Sequence, residues 1–512
     1  MQKVLTGENL DAQLSELPPE AHLWIYCGFD AAVPQEILPQ ILERLDPQTR
    51  SVYEFELMMT GMALSMSLTG VLTDDYEILR AKTEFETKQK DLESYVQSLF
   101  VAFWGKGVNV RSPTQMADFF YYSPDGLQVT KQTKRRKKGS SVTTDRDALE
   151  KIARENYYVR PLVSAILELK EVQKKLEFLN RGVDSDGHVR CTFSAASTET
   201  GRWSSYKNPW GRGGNFQNQT EEIRKIYKPD PDYIYLAPDL KQAESFGVAY
   251  FSGDENYLAA LHSGDLHTTV ARMVWPGLPW AGDSGPLDRE VADRKFYRHF
   301  SYRDMSKRGG HGSNYLGTAY EMAKNLKLPT EVLEQFQSDY FGTFAKIPLW
   351  HQEVQRRLQS EGFLVSPLGR KRTFFGRLYH NDTLKEAVAS LPQGLISDIF
   401  KIGLYKIWKV YEAPYGQEQT RPVRVLADVH DGGLIAVRTD WLDKVAADVI
   451  RFLTIPVQMP AGVMTIPVEL SVGWRWQKKQ MVEWKPGILD ELQPGPDSAF
   501  SLLELDAALI RA

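Results

Sequence analysis

Apolar and polar positions change period several times along this chain. Residues 424–429 and 434–438 are β-prone runs on either side of Asp431-Gly432, a short-range hairpin signal. His430 and Asp431 therefore stand at the tip of an otherwise apolar hairpin. Residues 233–237 read as a buried strand, with a helix following over 242–250. Helical spacing over 52–99 breaks at Gly70 and restarts behind Thr73-Asp74, which predicts two long helices. Met58, Met59, Met62 and Met66 line the first as core. Leu149, Ile152, Leu162, Ile166, Leu169 and Val172 predict helix over 145–179. Residues 1–50 are helical in pattern and punctuated by Pro18, Pro19 and Pro34. Residues 197–219 read as loop, 254–364 as mainly helical, and 363–472 as a mixture of strands and helices. Helices first, then a sheet interrupted by a helical insertion, predict a mixed α/β fold of several subdomains.

Composition changes this picture little. The 512 residues are 42% hydrophobic and 25% charged, ordinary for a globular protein and long enough for several subdomains. No apolar run approaches the roughly 18 residues of a membrane span, and the first residues lack the pattern of a signal peptide. Cys27 and Cys191 give neither metal spacing nor a disulfide scaffold, so a reducing, cytoplasmic setting is expected. The net charge of −4 does not advertise nucleic-acid binding, but it hides a cluster. Lys131, Lys134, Arg135, Arg136, Lys137 and Lys138 follow one another with no acid between Asp125 and Asp145, and Gly139-Ser140-Ser141 suggests a mobile loop. Such a run is either a solvated loop or a contact to a phosphate backbone.

Three further places carry candidate chemistry. Asp239 follows the buried strand and precedes a helix, where it is either an N-cap or a carboxylate held at a sheet edge. Arg303, Lys307, His311 and Tyr315 recur every four residues and so share one helical face. Two cations a turn apart suggest an anion, for which a triphosphate is a natural guest. Gly309, Gly310, Gly312 and Gly317 weaken that helix and are expected to admit a substrate closely or let the helix bend. Asp239 and Asp431 each end a strand of what can be one sheet. Two such carboxylates can hold two Mg²⁺ ions about 3.5–4 Å apart. The residues alone thus reach metal-assisted chemistry on a phosphorylated substrate.

The ordered set of motifs over about residues 50–475 resembles the polymerase region of family A DNA polymerases, the group of bacterial DNA polymerase I and many bacteriophage replicases. Thr200-Gly201-Arg202 with Ser204-Ser205 resembles the T-G-R-x-S-S element, and Gln217-Asn218 the Q-N that follows it. Asp239 through Gln242 to Glu244 is similar to motif A, Gly264-Asp265 with His267 to its continuation, and Arg303, Lys307 and Tyr315 to motif B. Gln393-Gly394 with Asp398 resembles Q-G-x-x-x-D, and Val429-His430-Asp431 resembles motif C.

The resemblance implies a right-hand fold: a palm with an antiparallel sheet, and helical fingers and thumb. Residues 51–190 would be thumb, 191–275 the first part of the palm, 276–362 fingers, and 363–512 the rest of the palm with a tail. The function implied is template-directed addition of dNTPs to a primer 3′ end. Asp239, Asp431 and the Leu240 carbonyl would hold two Mg²⁺, for which Mn²⁺ can substitute. Arg303 and Lys307 would bind phosphates, Lys307 would also protonate the leaving pyrophosphate, and Tyr315 would check the nascent pair. Gln242, His267 and His311 belong to the same nucleotide site. Glu244 would crowd the ribose 2′ position, which argues against an RNA polymerase on the same fold. His430 would touch the primer terminus. Arg202, Gln217, Asn218, Arg224 and Gln393 would contact primer, template or the new pair, and Lys134 to Lys138 would grip the product duplex. Primer-template DNA and dNTPs are the expected partners and no membrane is; the cytoplasm would be the host's if the chain is viral. The rival outside catalysis is a DNA-binding replisome subunit.

Three departures stand out. Motif C usually continues with Glu, and here Gly432 stands. Upstream, Tyr26 and Asp30 resemble the Y-x-x-x-D of a proofreading exonuclease, without a D-x-E before them. The chain is thus expected to lack intrinsic proofreading, and residues 1–50 to dock a separate exonuclease polypeptide. A third departure is His311, at a position where the family stacks Phe or Tyr; an imidazole can both stack and hydrogen-bond a phosphate. His311→Phe is expected to change the ratio of dideoxynucleotide to deoxynucleotide incorporation in a single-nucleotide extension assay.

Overall fold

A computed structural model describes residues 18–136, 139–282, 285–415, 421–429 and 431–492, with the main chain alone for Pro19, Arg135, Arg136, Gly139 and Ser140. Lys137, Lys138 and His430 lie outside the described residues. From the N-terminus run helices α1 (Pro19–Arg44), α2 (Pro47–Thr69), α3 (Asp75–Trp104), α4 (Arg146–Glu155) and α5 (Arg160–Leu179). Strand β1 (Tyr233–Leu240) leads into α6 (Ala243–Ser252), α7 (Leu266–Val274), α8 (Tyr302–Asn314), α9 (Thr330–Thr343) and α10 (Asn381–Tyr411). Strands β2 (Val423–Val429) and β3 (Gly432–Arg438), helix α11 (Leu442–Leu453) and strands β4 (Val468–Gly473) and β5 (Val482–Glu483) follow. No described helix is long and apolar enough to cross a membrane.

The chain divides into two units. One gathers Met1–Met59, Gly247–Leu395 and Val457–Val463, and the other Thr60–Phe246, Ile396–Pro456 and Met464–Ala512. These units cut across the five segments expected from the resemblance.

The second unit is built on an antiparallel sheet of order β2-β3-β1-β4-β5. β1 is buried almost throughout, as its unbroken apolar run requires when both faces are covered. Helix α11 covers one face with Leu442, Val445, Ala446, Val449 and Leu453, a helical repeat of buried residues. Phe400 of α10 packs at Gly433, where a Cβ would lie 3.1 Å from the ring. The thumb-like helices of this unit share a core of Val96, Phe100, Phe119, Phe120, Leu149, Ile152, Leu162 and Ile166. Asp74 caps α3 as expected, accepting from the Tyr76 and Glu77 amides. The stretch expected as one helix over 145–179 is two, α4 and α5, joined by a 3-10 turn at Tyr157–Val159. The basic run expected as a loop begins a hairpin, Thr133–Arg136 against Gly139–Val142. Met59, Met62 and Met66 are core, whereas Met58 is exposed.

In the first unit α1 runs unbroken through Pro34, which the sequence suggested as punctuation, and through Pro39. Leu23, Trp24, Tyr26, Ile37, Leu38 and Ile41 of α1 are exposed among the described residues. The glycines of α8 correct another expectation. A Cβ at Gly309 would stand 2.5 Å from Phe336 Cε1, and one at Gly312 2.3 Å from Met322 Sδ. They admit neighbouring side chains, Phe336 of α9 and Met322, rather than a substrate. Ser301 and Asp304 close a capping box that fixes the start of α8.

Gly309→Ala is therefore expected to cost about 1–3 kcal/mol by overpacking Phe336. Gly342→Ala, a helical position with nothing within 4 Å of the added Cβ, should stabilise by roughly 0.5–1 kcal/mol. Urea unfolding of the two variants checks the contrast.

Candidate active site

Strand pairing brings the two aspartates together. Gly432 of β3 lies opposite Asp239 of β1, and the Leu240 amide donates to the Asp431 carbonyl at 2.9 Å. Val429 pairs with Gly432, so Gly432 opens β3 instead of sitting in the turn that the Asp-Gly pair suggested. Glycine is needed there because a Cβ would lie 2.8 Å from Asp239 Oδ1 and 3.0 Å from the Pro238 carbonyl oxygen. Asp239 is inside the end of its strand rather than beyond it. It does not cap α6; the turn into that helix is made by Gln242, with φ of 51° and its carbonyl accepting from Ser245 and Phe246.

The Asp239 carboxyl opens to solvent yet its surroundings are dense. Desolvation, then the Asp431 charge and then that of Glu469 push its pKa up to about 7. Beneath the turn, Asp428 is 2% exposed, and burial likewise raises it to about 7 against the opposing charge of Lys401. Lys401 is itself fully buried, donating to the Ala195 carbonyl at 3.3 Å with Trp203 beside it. Gln217, expected at the DNA, is buried in this network and gives its amide to the Trp203 carbonyl at 3.0 Å and to Asp428 at 3.4 Å. Arg202 reaches Glu244 at 2.7 Å. Arg224 lies over the Trp476 ring, and Asn218 is exposed. Lys134 pairs with Asp145 at 3.0 Å.

In the other unit, Arg303, Lys307 and His311 do share one face of α8, and Tyr315 is its C-cap. The His311 and Tyr315 rings meet edge to face at 5.0 Å. The anion expected opposite this stripe is partly supplied from within. Asp265 takes Arg303 through Nε and Nη2, each at 3.1 Å. Burial works against the Asp265 charge, but bonds from Arg303 and Thr268 prevail and hold its pKa at about 2. His267 is driven down to about 4 by burial and then by Arg303 and Lys307, so it is neutral at pH 7. Gln393 is half-buried on α10.

One feature escaped sequence reading. A cleft of about 920 Å³ in the second unit is lined by both signs of charge, Lys170, Lys174 and Lys207 with Glu86, Asp145 and Glu177 among others. Burial lowers the Lys170 pKa. Lys170 and Lys174 are four apart on α5, with Lys170 half-buried at the margin of its apolar stripe, and that spacing was the available signal.

Among the described residues no three His, Cys, Asp or Glu side chains form a ready cage for a metal. The donors are two carboxylates and the Leu240 carbonyl, all hard oxygens, a set that suits Mg²⁺ because Mg²⁺ keeps several of its waters.

Comparison with known proteins agrees with this geometry. The family model described as DNA polymerase family A matches residues 77–478. DNA polymerase I of Mycobacterium tuberculosis is 27% identical over 449 residues, 85% of this chain and 45% of that protein. DNA polymerase I of Lactococcus lactis is 24% identical over 462 residues, 87% of this chain and 48% of the relative. The chain thus spans about half the length of these curated relatives. The POL domain of Pol1 from M. smegmatis, solved with DNA primer-template and dNTP, superposes with a TM-score of 0.66 at 23% identity, covering 87% of this chain and 73% of that one. The mixed α/β architecture is therefore that of a right-hand polymerase domain.

The raised Asp239 pKa carries a sign. The folded state binds this proton more tightly than the unfolded chain, so stability falls as pH rises from about 4 to about 7. Metal-free Asp239→Asn is expected to melt higher than the parent at pH 8, with the difference shrinking toward pH 4. Thermal unfolding across that range measures it.

Proposed function

The chain belongs to DNA polymerase family A, and on that premise we propose that it extends a primer 3′ end with dNTPs under direction of a template. The observation that carries this reading is the placement of Asp239, in β1, beside Asp431, which immediately precedes the neighbouring strand β3, through the Gly432–Asp239 pairing. We read residues 51–190 as thumb, 191–275 and 363–512 as palm, and 276–362 as fingers.

Asp239, Asp431 and the Leu240 carbonyl would hold two Mg²⁺, or Mn²⁺ in their place, which would supply electrostatic stabilisation for a phosphoryl transfer. Everything else falls to side chains. Arg303 is oriented by Asp265, which engages Nε and Nη2 and turns Nη1 toward a phosphate. Lys307, one turn on, binds the same triphosphate and gives a proton to the departing pyrophosphate. His267, neutral because of its cationic neighbours, offers the triphosphate a hydrogen bond without a further charge. His311 and Tyr315 present a ring pair to the base. Glu244, held by Arg202, crowds the ribose 2′ position and favours dNTPs. The product duplex is held by Lys134 and its basic neighbours.

The reading assigns no proofreading to the polymerase segment itself: residues 1–50 hold Tyr26 and Asp30 but no D-x-E. A separate exonuclease polypeptide is its partner, and the apolar face of α1 gives that partner a surface.

Primer extension with Mg²⁺ tests the proposal. Asp431→Ala should lower the rate at least 10³-fold, about 4 kcal/mol of barrier or more, while duplex affinity changes less than about threefold. The parent should release no dNMP from a 3′-mismatched primer. Undiminished extension by Asp431→Ala would refute the assignment.

A further inference from the structure

Gly432, Asp239 and Glu469 form one row across β3, β1 and β4, since Gly432 and Glu469 are the two partners of Asp239. Directly opposed residues of antiparallel strands put their side chains on the same face, with Cβ atoms about 4.5–5.5 Å apart. Lys241 is two residues beyond Asp239, and its main-chain N–H, donating to the Pro467 carbonyl at 2.9 Å, extends the pairing past β1. Its Nζ stands 3.1 Å from Glu469 Oε1, with side chains 42% and 53% exposed. A bond so exposed is weak on its own.

The two neighbours of Asp239 are unlike. Position 432 cannot carry a side chain while Asp239 keeps its place, because the added Cβ would meet both Oδ1 and the Pro238 carbonyl. Position 469 carries a carboxylate on a flexible stem. We propose that Glu469 is a positioning residue for the divalent cations of this site, a third carboxylate that replaces across the sheet the charge absent at 432, and that Lys241 is its counter-ion. The proposal rests on the reading of Asp239 and Asp431 as cation ligands. Glu469 acts through its field on the cations and on the water they retain, not by displacing Asp239. Lys241 opposes it. Removing either charge therefore moves cation affinity in opposite directions. One unit charge about 8 Å from a divalent ion, at an effective dielectric of about 60–80, is worth roughly 5- to 10-fold in affinity.

The test is titration of the full chain with Mn²⁺ in the absence of DNA at pH 8, followed by electron paramagnetic resonance and calorimetry. Glu469→Gln should weaken binding about 3- to 10-fold, and Lys241→Met should tighten it by a similar factor. Both metal-free variants should melt within about 2 °C of the parent. Unchanged Kd in Glu469→Gln, with binding lost in Asp431→Asn, overturns the role of Glu469 and leaves the cation site standing. Binding retained in both Asp239→Asn and Asp431→Asn overturns the cation site and this proposal with it. Lys241→Met probes the same charge without touching Glu469, so a Glu469 variant that fails to fold does not remove the test. An Mn²⁺ affinity that Lys241→Met leaves unchanged counts against the proposal.

Discussion

The pairing of β1 with β3 is the constraint from which the rest of the site follows. Antiparallel strands fix which residues stand opposite, and a slip of one position would turn the Asp239 side chain to the other face. Here Gly432 is opposite Asp239, and the Leu240 amide closes on the Asp431 carbonyl. Two acids far apart in the chain are thereby held side by side by main-chain hydrogen bonds rather than by flexible side chains. Like charges so close resist joint ionisation, and the fold accepts that penalty because β1 and β3 are otherwise almost wholly buried.

Around this pair the protein distributes opposite charge at two depths. Below the turn, buried Asp428 and Lys401 hold β2 in a polar network with Gln217 and the Ala195 carbonyl. A buried acid that had neither lysine nor amide near it would be far costlier. On α8 the order is reversed. Arg303 is kept extended by Asp265, which also caps α7, so one carboxylate both starts a helix and aims a guanidinium. Both devices spend rigid secondary structure on the placement of one charged atom, which is what phosphoryl chemistry demands.

Much of this was legible in the sequence, for identifiable reasons. The buried strand at 233–237 and the helix after it were plain because their periods are unmixed. The break between α2 and α3 was marked by Gly70 and by the cap at Asp74. The face shared by Arg303, Lys307 and His311 followed from four-residue spacing alone. Long-range packing was not legible. The α8 glycines looked like breakers, yet Phe336, more than 20 residues on, fills the space they leave. The hairpin at 133–142 hid behind a charge run that dominates any local reading. Pro34 and Pro39 look like helix stops, but α1 continues through them. Gln217 reads as a polar surface residue and turns out to be buried, because only the fold brings Asp428 to it.

The empty side-chain position at Gly432 has an evolutionary corollary. An acidic residue is one nucleotide change away from many glycine codons, so mutation must regenerate it there repeatedly. Each time, the new Cβ stands 2.8 Å from Asp239 Oδ1 and 3.0 Å from the Pro238 carbonyl oxygen. Substitutions at 432 and 239 are therefore coupled: what a side chain at 432 costs depends on where the Asp239 carboxylate has moved.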